Sequence, residues 1–183
     1  MRVAVTGAHG TGKTTLIEDF VAAHRDYQRE EEPYWGLVQQ GMPFAGGASL
    51  PDLEEQLDAS AALILAQDGG KIVFDRCPID FIAYLEVVGE EDGIEWTPSG
   101  KQLRQIERAL STLDLLVFLP VGRPDEIAVR IELPRLRARV DVRLKSILRD
   151  DALGLLDGVR PKLLEISGDR DARVRQLATA GGL

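Results

Sequence analysis

The chain has little cysteine and no long hydrophobic run. Its one cysteine among 183 residues, Cys77, excludes an internal disulfide and any cysteine-cluster metal site, which favours a reducing, cytoplasmic compartment. No apolar run approaches the roughly 20 residues that a membrane-spanning helix needs, so we expect no membrane partner. The first predicted strand follows Met1 directly, so we expect no signal peptide.

Positive charge is also scarce. The chain has 22 Lys and Arg against 30 Asp and Glu, a formal net charge of -8. Nucleic-acid binding relies on a basic surface, so we expect no nucleic-acid partner and a mononucleotide or small metabolite instead. The N/T-K-x-D guanine motif is absent, which argues against a GTPase switch. Neither His9 nor His24 has a partner at metal-ligand or triad spacing.

Apolar runs typical of buried strands alternate with helical patterns along the whole chain. The predicted strands are residues 2–6, 27–31, 71–75, 115–119 and 162–167. The predicted helices are residues 15–24, 51–67, 79–88, 99–113, 134–149 and 169–180, with a mobile loop at 41–51 and a solvated connection at 89–95. Strands separated by helices predict right-handed crossovers and a parallel sheet covered on both faces. Residues 1–183 are therefore expected to form a single three-layer α/β/α domain with a five-stranded parallel sheet.

A complete phosphate-binding motif lies between the first strand and the first helix. Residues 7–14 read G-x-x-x-x-G-K-T. Its glycines let backbone N–H groups face a polyphosphate, and the helix N-terminus adds partial positive charge. We expect Lys13 to reach the β- and γ-phosphates and the Thr14 hydroxyl to hold Mg²⁺. The predicted ATP-binding residues are Gly7, His9, Gly10, Thr11, Gly12, Lys13, Thr14 and Thr15.

Charged residues end the third predicted strand, at the sheet edge where ligands of such folds bind. Asp75 is placed to hold Mg²⁺ through water or to order Thr14. Arg76 is placed to pair with a phosphate or carboxylate. The alternative is a solvated ion pair at the end of a strand.

Acidic and aromatic residues end the second predicted strand. One carboxylate there is placed to take a proton from an acceptor hydroxyl, and Glu32 is favoured over Glu31. Tyr34 or Trp35 is expected to wall a pocket for a flat ring. The alternative is an acidic run that forms only a solvated face.

Together these residues resemble the P-loop nucleoside kinases, which share a Glu-Pro followed by Trp, a glutamine in the next helix and an acidic-Arg pair. Residues 75–85 are closer to the AAA-type ATPase and kinase domains that include ribosylnicotinamide kinase. The resemblance implies that Glu32 deprotonates the acceptor hydroxyl, that Gln56 hydrogen-bonds the substrate base, and that Arg76 lies near the transferring phosphate. Glu55 and Cys77 depart from the family pattern, which has an aromatic residue and a serine there. A solvent-facing Gln56 is the alternative.

Residues 123–149 carry eight basic and four acidic side chains inside an acidic protein. The segment resembles the arginine-bearing lid that P-loop kinases close over the triphosphate, with Arg130, Arg135 and Arg139 as the expected contacts. The alternative is a solvated helix face with salt bridges such as Arg137 with Asp141.

The same resemblance places the loop after the fifth strand along the adenine, with Gly168 and Asp169 as binding residues. A turn and helix cap is an equally good interpretation of this loop.

The sequence therefore predicts a P-loop NTPase fold and an Mg²⁺-ATP-dependent phosphotransferase. The expected acceptor is a hydroxyl or phosphate of a small molecule, with a nucleoside or nucleotide favoured. The alternative is an ATP-binding or ATP-hydrolysing regulatory module that has no acceptor.

Overall fold

The computed structural model describes residues 1–42, 49–122, 132–156 and 161–183. The strands are β1 (Arg2–Thr6), β2 (Gln28–Glu30), β3 (Ile72–Asp75), β4 (Leu115–Phe118) and β5 (Lys162–Glu165). The helices are α1 (Lys13–Ala23), α2 (Pro33–Gln39), α3 (Leu50–Ala66), α4 (Pro78–Glu91), α5 (Gly100–Ser111), α6 (Pro134–Arg149) and α7 (Arg170–Ala180). Within these ranges no helix is long and apolar enough to cross a membrane.

The five strands form one parallel sheet in the order β2-β3-β1-β4-β5. β1 lies in the centre, and its Val5 pairs in register with Asp75 of β3 on one side. On the other side Thr6 pairs with Phe118 of β4. The carboxyl ends of all five strands therefore meet at one edge, which is where the loop after β1 begins.

Successive side chains of each central strand point to opposite faces of the sheet, and each face packs in its own hydrophobic core. Phe74 and Phe118 pack on the face covered by α3, α4, α5 and α6. Val73 and Val117 pack on the opposite face, against α1 and α7. The three-layer α/β/α arrangement with a five-stranded parallel sheet is thereby confirmed.

The structure differs from the prediction in one added helix and in the ends of several elements. Pro33 begins the seven-residue helix α2, which is not among the predicted helices. Proline suits the first turn of a helix because the N–H groups there have no partner within the helix. Helix α4 extends to Glu91, into the predicted connection, while β2 and β5 are shorter than predicted. Most of the predicted loop at 41–51 and the first part of the predicted lid lie outside the described residues.

One arginine ties β1 to the end of α3. Arg2 Nη2 donates to the carbonyl oxygen of Ile64 at 2.6 Å, and Nη1 donates to that of Gly69 at 3.1 Å. The guanidinium also lies 5.4 Å from the centre of the Phe74 ring. A cation at a helix C-terminus satisfies carbonyl groups that have no partner within the helix and opposes the negative end of the helix dipole.

We expect Arg2→Ala to lower the free energy of unfolding by about 1.5–3 kcal/mol, because several carbonyl groups lose a charged donor. Urea unfolding followed by circular dichroism measures this change. Arg25→Ala, at an exposed position, serves as the control and should change stability by less than about 0.5 kcal/mol. Equal midpoints for both variants would contradict the role of Arg2.

Candidate active site

The loop between β1 and α1 has the backbone of an anion site. Gly12 caps α1 with φ of 86°, and the first turn of that helix holds no acidic residue. Gly7 has φ of 153°, and a Cβ there would lie 2.6 Å from the carbonyl oxygen of Leu119. Both positions need glycine, and the positive end of α1 is left to face a negatively charged ligand.

Lys13 is folded into this loop. Its Nζ donates to the carbonyl oxygens of Gly7 at 2.8 Å and Ala8 at 2.9 Å, and the residue is 6% exposed. Burial, followed by the positive charge of Arg76, lowers the pKa of Lys13 to about 8. The ammonium is thus held at the base of the loop in a setting that favours its binding to an anion.

Two further cations bind the outer side of the loop from distant helices. Arg137 of α6 donates through Nε to the carbonyl oxygen of His9 at 2.9 Å. Arg173 of α7 donates through Nη1 to that of Thr11 at 2.6 Å. Both arginines are buried. Neither contact is predicted from the sequence, in which Arg173 has no assigned role and Arg137 is expected only as part of a solvated helix face.

Thr14 and Asp75 lie together, as predicted for a metal site. Thr14 Oγ1 donates to Asp75 Oδ2 at 2.8 Å, and Arg29 Nη2 is 3.7 Å from the same oxygen. Burial raises the pKa of Asp75, despite the hydrogen bond from Thr14. Among the described residues no cluster of three or more His, Cys, Asp or Glu is placed to ligate a metal. A hydroxyl and a carboxylate oxygen fit Mg²⁺, which takes its remaining ligands from phosphate and water.

Arg76 and Glu32 form an ion pair across the carboxyl ends of β3 and β2. Arg76 has φ of 79°, a strained value for a residue with a side chain, and its N–H donates to the Val5 carbonyl oxygen at 3.0 Å. Burial disfavours the charge of Arg76, but Glu32, Tyr84 and Asp80 outweigh it and raise the pKa. A permanent positive charge therefore lies beside the carboxylate of Glu32.

These groups line one cavity of about 270 Å³. Its lining residues are His9, Gly10, Gly12, Lys13, Thr14, Thr15, Glu32, Asp75 and Arg76. The structure thus brings most of the predicted phosphate-binding residues together with the predicted metal ligands and the predicted base.

A family model for an AAA domain matches residues 2–173. The chain belongs to the AAA domain family. No curated protein matches the sequence.

Solved structures of nucleotide-binding kinases share the fold of this AAA domain protein. Deoxyadenosine kinase from M. mycoides with bound dATP is 13% identical, with a TM-score of 0.65 and full coverage of both chains. Thymidylate kinase from Candida albicans is 17% identical, with a TM-score of 0.60, over 98% of this chain and 89% of the other. NadR protein in complex with NAD and AMP-PNP is 16% identical with a TM-score of 0.65, and this chain spans about half of it, 49%. The AAA domain protein therefore has a P-loop kinase-like fold.

The predicted lid arginines of the AAA domain protein lie apart from the cavity. Arg139 pairs with Glu90 at 2.7 Å and Glu91 at 2.5 Å on α4, and Arg135 is exposed in the first turn of α6. Neither lines the phosphate-loop cavity, so their contact with a triphosphate stays a prediction. Arg130 lies outside the described residues.

The predicted substrate-binding residues Trp35 and Gln56 are not in this cavity either. The Trp35 ring is 51% exposed and packs edge-on against Tyr34 with 5.1 Å between ring centres. Gln56 Nε2 donates to the carbonyl oxygen of Asp52 in its own helix at 3.1 Å. Their contacts with an acceptor stay predictions.

The loop after β5 is joined to the phosphate loop through one side chain. Gly168 has φ of 100°, and its carbonyl oxygen accepts from Arg173 Nε at 2.7 Å. Asp169 caps α7 by accepting from the Ala172 N–H at 2.8 Å. The cap interpretation of Asp169 is confirmed, while adenine binding by this loop stays a prediction.

Two side chains of α4 that have no predicted role also bind the loop. Asp80 accepts from the Gly7 N–H, and Tyr84 accepts from the His9 N–H, each at 2.9 Å. Asp80 is four residues after Arg76, and Tyr84 is four residues after Asp80, a spacing typical of side chains that share one face at the start of a helix.

The pKa of Lys13 gives nucleotide binding a defined pH dependence. In the ligand-free protein the ammonium loses its proton as pH rises through about 8, and the phosphates need the charged form. We expect the affinity for Mg-ADP, measured by titration calorimetry, to weaken up to about tenfold per pH unit above that value. Lys13→Arg is the control, because a guanidinium stays charged throughout the range and should give a flat profile. A flat profile for the wild-type protein would contradict the assignment.

Proposed function

We propose that this protein is an Mg²⁺-ATP-dependent kinase that moves the γ-phosphoryl group of ATP to a hydroxyl or phosphate of a small molecule. A nucleoside or nucleotide is the favoured acceptor class. The observation that carries the proposal is the position of Glu32. Glu32 lines both the phosphate-loop cavity and a second, larger cavity, and this supports a role as the proton acceptor between a triphosphate and the molecule that takes the phosphoryl group.

The second cavity has a volume of about 510 Å³, within the usual size of a small-molecule site. Its polar lining consists of Arg29, the three adjacent carboxylates at residues 30–32, Gln39 and Gln40. Small and apolar side chains of α2 and α3 form the remaining walls, among them Leu37, Ala59, Ala62 and Leu63. A flat apolar group bearing polar substituents fits this mixture of walls.

The charges in the smaller cavity support phosphoryl transfer. Lys13 and the loop N–H groups would bind the triphosphate, and Thr14 and Asp75 would hold Mg²⁺, which neutralises charge on the phosphates when bound. Arg76 would lie near the transferring group, where its guanidinium stabilises negative charge. Glu32 would take the proton of the acceptor hydroxyl as the oxygen attacks.

The favoured acceptor class rests on the likeness to the deoxyadenosine and thymidylate kinase structures and on the residues that resemble the nucleoside kinases. A nucleotide-hydrolysing regulatory module shares the phosphate loop, but it has no need of a carboxylate that lines two cavities at once. Turnover that depends on an acceptor separates the two functions.

We expect Mg-ATP to yield ADP in the presence of one member of a panel of nucleosides, nucleoside monophosphates and nicotinamide riboside. Glu32→Gln should lower this acceptor-dependent turnover about 10²- to 10⁴-fold, because an amide cannot take the proton. Lys13→Ala should abolish it through loss of the charge on the triphosphate. ADP formation in a coupled assay measures both.

Asp26→Asn is the matched control. Like Glu32, Asp26 pairs with a cation, Lys71, but it precedes β2 whereas Glu32 follows it, so it lies at the opposite edge of the sheet. This variant should keep the turnover of the wild-type protein. Slow ADP formation that no acceptor stimulates and that Glu32→Gln leaves unchanged would overturn the kinase proposal in favour of the regulatory module.

A further inference from the structure

A fully buried carboxylate binds the phosphate loop to the start of α4. Asp80 is 0% exposed, and its Oδ1 accepts from the Gly7 N–H at 2.9 Å. Its Oδ2 accepts from the Cys77 N–H at 3.0 Å, one residue after Arg76. Burying a carboxylate costs free energy unless its oxygens are bonded, and here both oxygens accept backbone N–H groups of two separate loops.

The same carboxylate also faces the arginine of the site. Asp80 Oδ1 lies 3.7 Å from Arg76 Nη1. Arg76 has the strained φ of 79°, and the bond between Asp80 and the Cys77 N–H fixes the peptide that follows it. Asp80 therefore acts on Arg76 both through the backbone and through its charge.

Tyr84 makes a second connection one turn further along α4. Its Oη accepts from the His9 N–H at 2.9 Å and lies 2.8 Å from His9 Nδ1. The guanidinium of Arg76 lies 5.6 Å from the centre of the Tyr84 ring, a favourable distance for a cation and an aromatic face. The phosphate loop and Arg76 are thus joined by the same two side chains.

We propose that Asp80 and Tyr84 are positioning residues that fix the phosphate loop and Arg76 relative to each other. This inference rests on the proposed function insofar as Arg76 meets the transferring phosphoryl group. Phosphoryl transfer depends on placement, since the protein supplies alignment and charge and forms no bond to the phosphate itself. A shift between the loop that holds the triphosphate and the guanidinium that meets it would lower turnover.

Asp80→Asn tests the carboxylate. An asparagine offers one acceptor oxygen to two N–H donors, and its amide NH₂ would face the other donor. We expect the affinity for Mg-ADP to fall about tenfold or more, because a buried N–H of the loop or of residue 77 loses its acceptor. Asp52→Asn is the matched control. Asp52 is the third residue of α3, after the N-cap Ser49, just as Asp80 is the third residue of α4. The Asp52→Asn variant should keep the wild-type affinity.

Tyr84→Phe tests the second connection with a smaller disturbance, since it removes only the hydroxyl. The expected loss of Mg-ADP affinity is about three- to tenfold. Tyr27→Phe, at another buried tyrosine that packs on Phe20 in the core beside α1, should leave the affinity unchanged. If Asp80→Asn does not fold, the comparison of Tyr84→Phe with Tyr27→Phe tests the positioning role.

Thermal unfolding, Mg-ADP affinity and kcat are measured on all variants. Positioning predicts that kcat falls by a larger factor than KM rises, and that Asp80→Asn costs less kcat when combined with Arg76→Lys. A merely structural role would lower Tm while affinity and kcat stay at wild-type values, and this result would overturn the inference.

If no acceptor supports turnover but Asp80→Asn still weakens Mg-ADP binding, the kinase proposal fails while the loop is shown to depend on Asp80. Unchanged affinity in a folded Tyr84→Phe would remove Tyr84 from the inference.

Discussion

The site depends on the opposite directions of N–H and C=O in a trans peptide. A loop that turns its N–H groups toward an anion must turn its carbonyl groups away, and buried carbonyl groups need donors. Each carbonyl oxygen from residue 7 to residue 11 accepts from a cationic side chain, which is Lys13, Arg137 or Arg173. The carbonyl groups of the loop therefore have charged donors even when no anion is bound.

The order of the strands places the reactive groups around that loop. In the sheet β3 lies next to the central strand β1, and β2 lies next to β3. The carboxyl ends of these strands bring Asp75, Arg76 and Glu32 to one edge, beside the loop. The side chains there alternate in charge, so that each carboxylate lies near a cation. Such a site can bind the negative charge of a triphosphate when its cations exchange their carboxylate partners for phosphate oxygens.

The fold and the phosphate loop could be predicted because their signals are local. Apolar runs marked the strands, and the motif at residues 7–14 stood at the expected junction. The loop contacts of Arg137 and Arg173 could not be predicted, since nothing in their own neighbourhoods distinguishes them from surface arginines on amphipathic helices. Helix α2 was missed for a similar reason: seven residues hold too few turns to show a period. Arg139, a predicted lid residue, fitted a helical face, but only packing could reveal that this face meets acidic residues of α4.

The contact between Thr11 and Arg173 spans nearly the whole chain, and it bears on synthesis. The motif is synthesised before α7, and the Arg173 donor for one of its carbonyl groups comes 162 residues after Thr11. Strands β3 and β4, which flank β1, also lie far along the chain. Long-range pairing of this kind is slow and comes late in folding. A ribosome-bound fragment that carries the entire motif but not α7 would thus lack a donor for the Thr11 carbonyl oxygen, and the loop would be completed only after α7 has been synthesised.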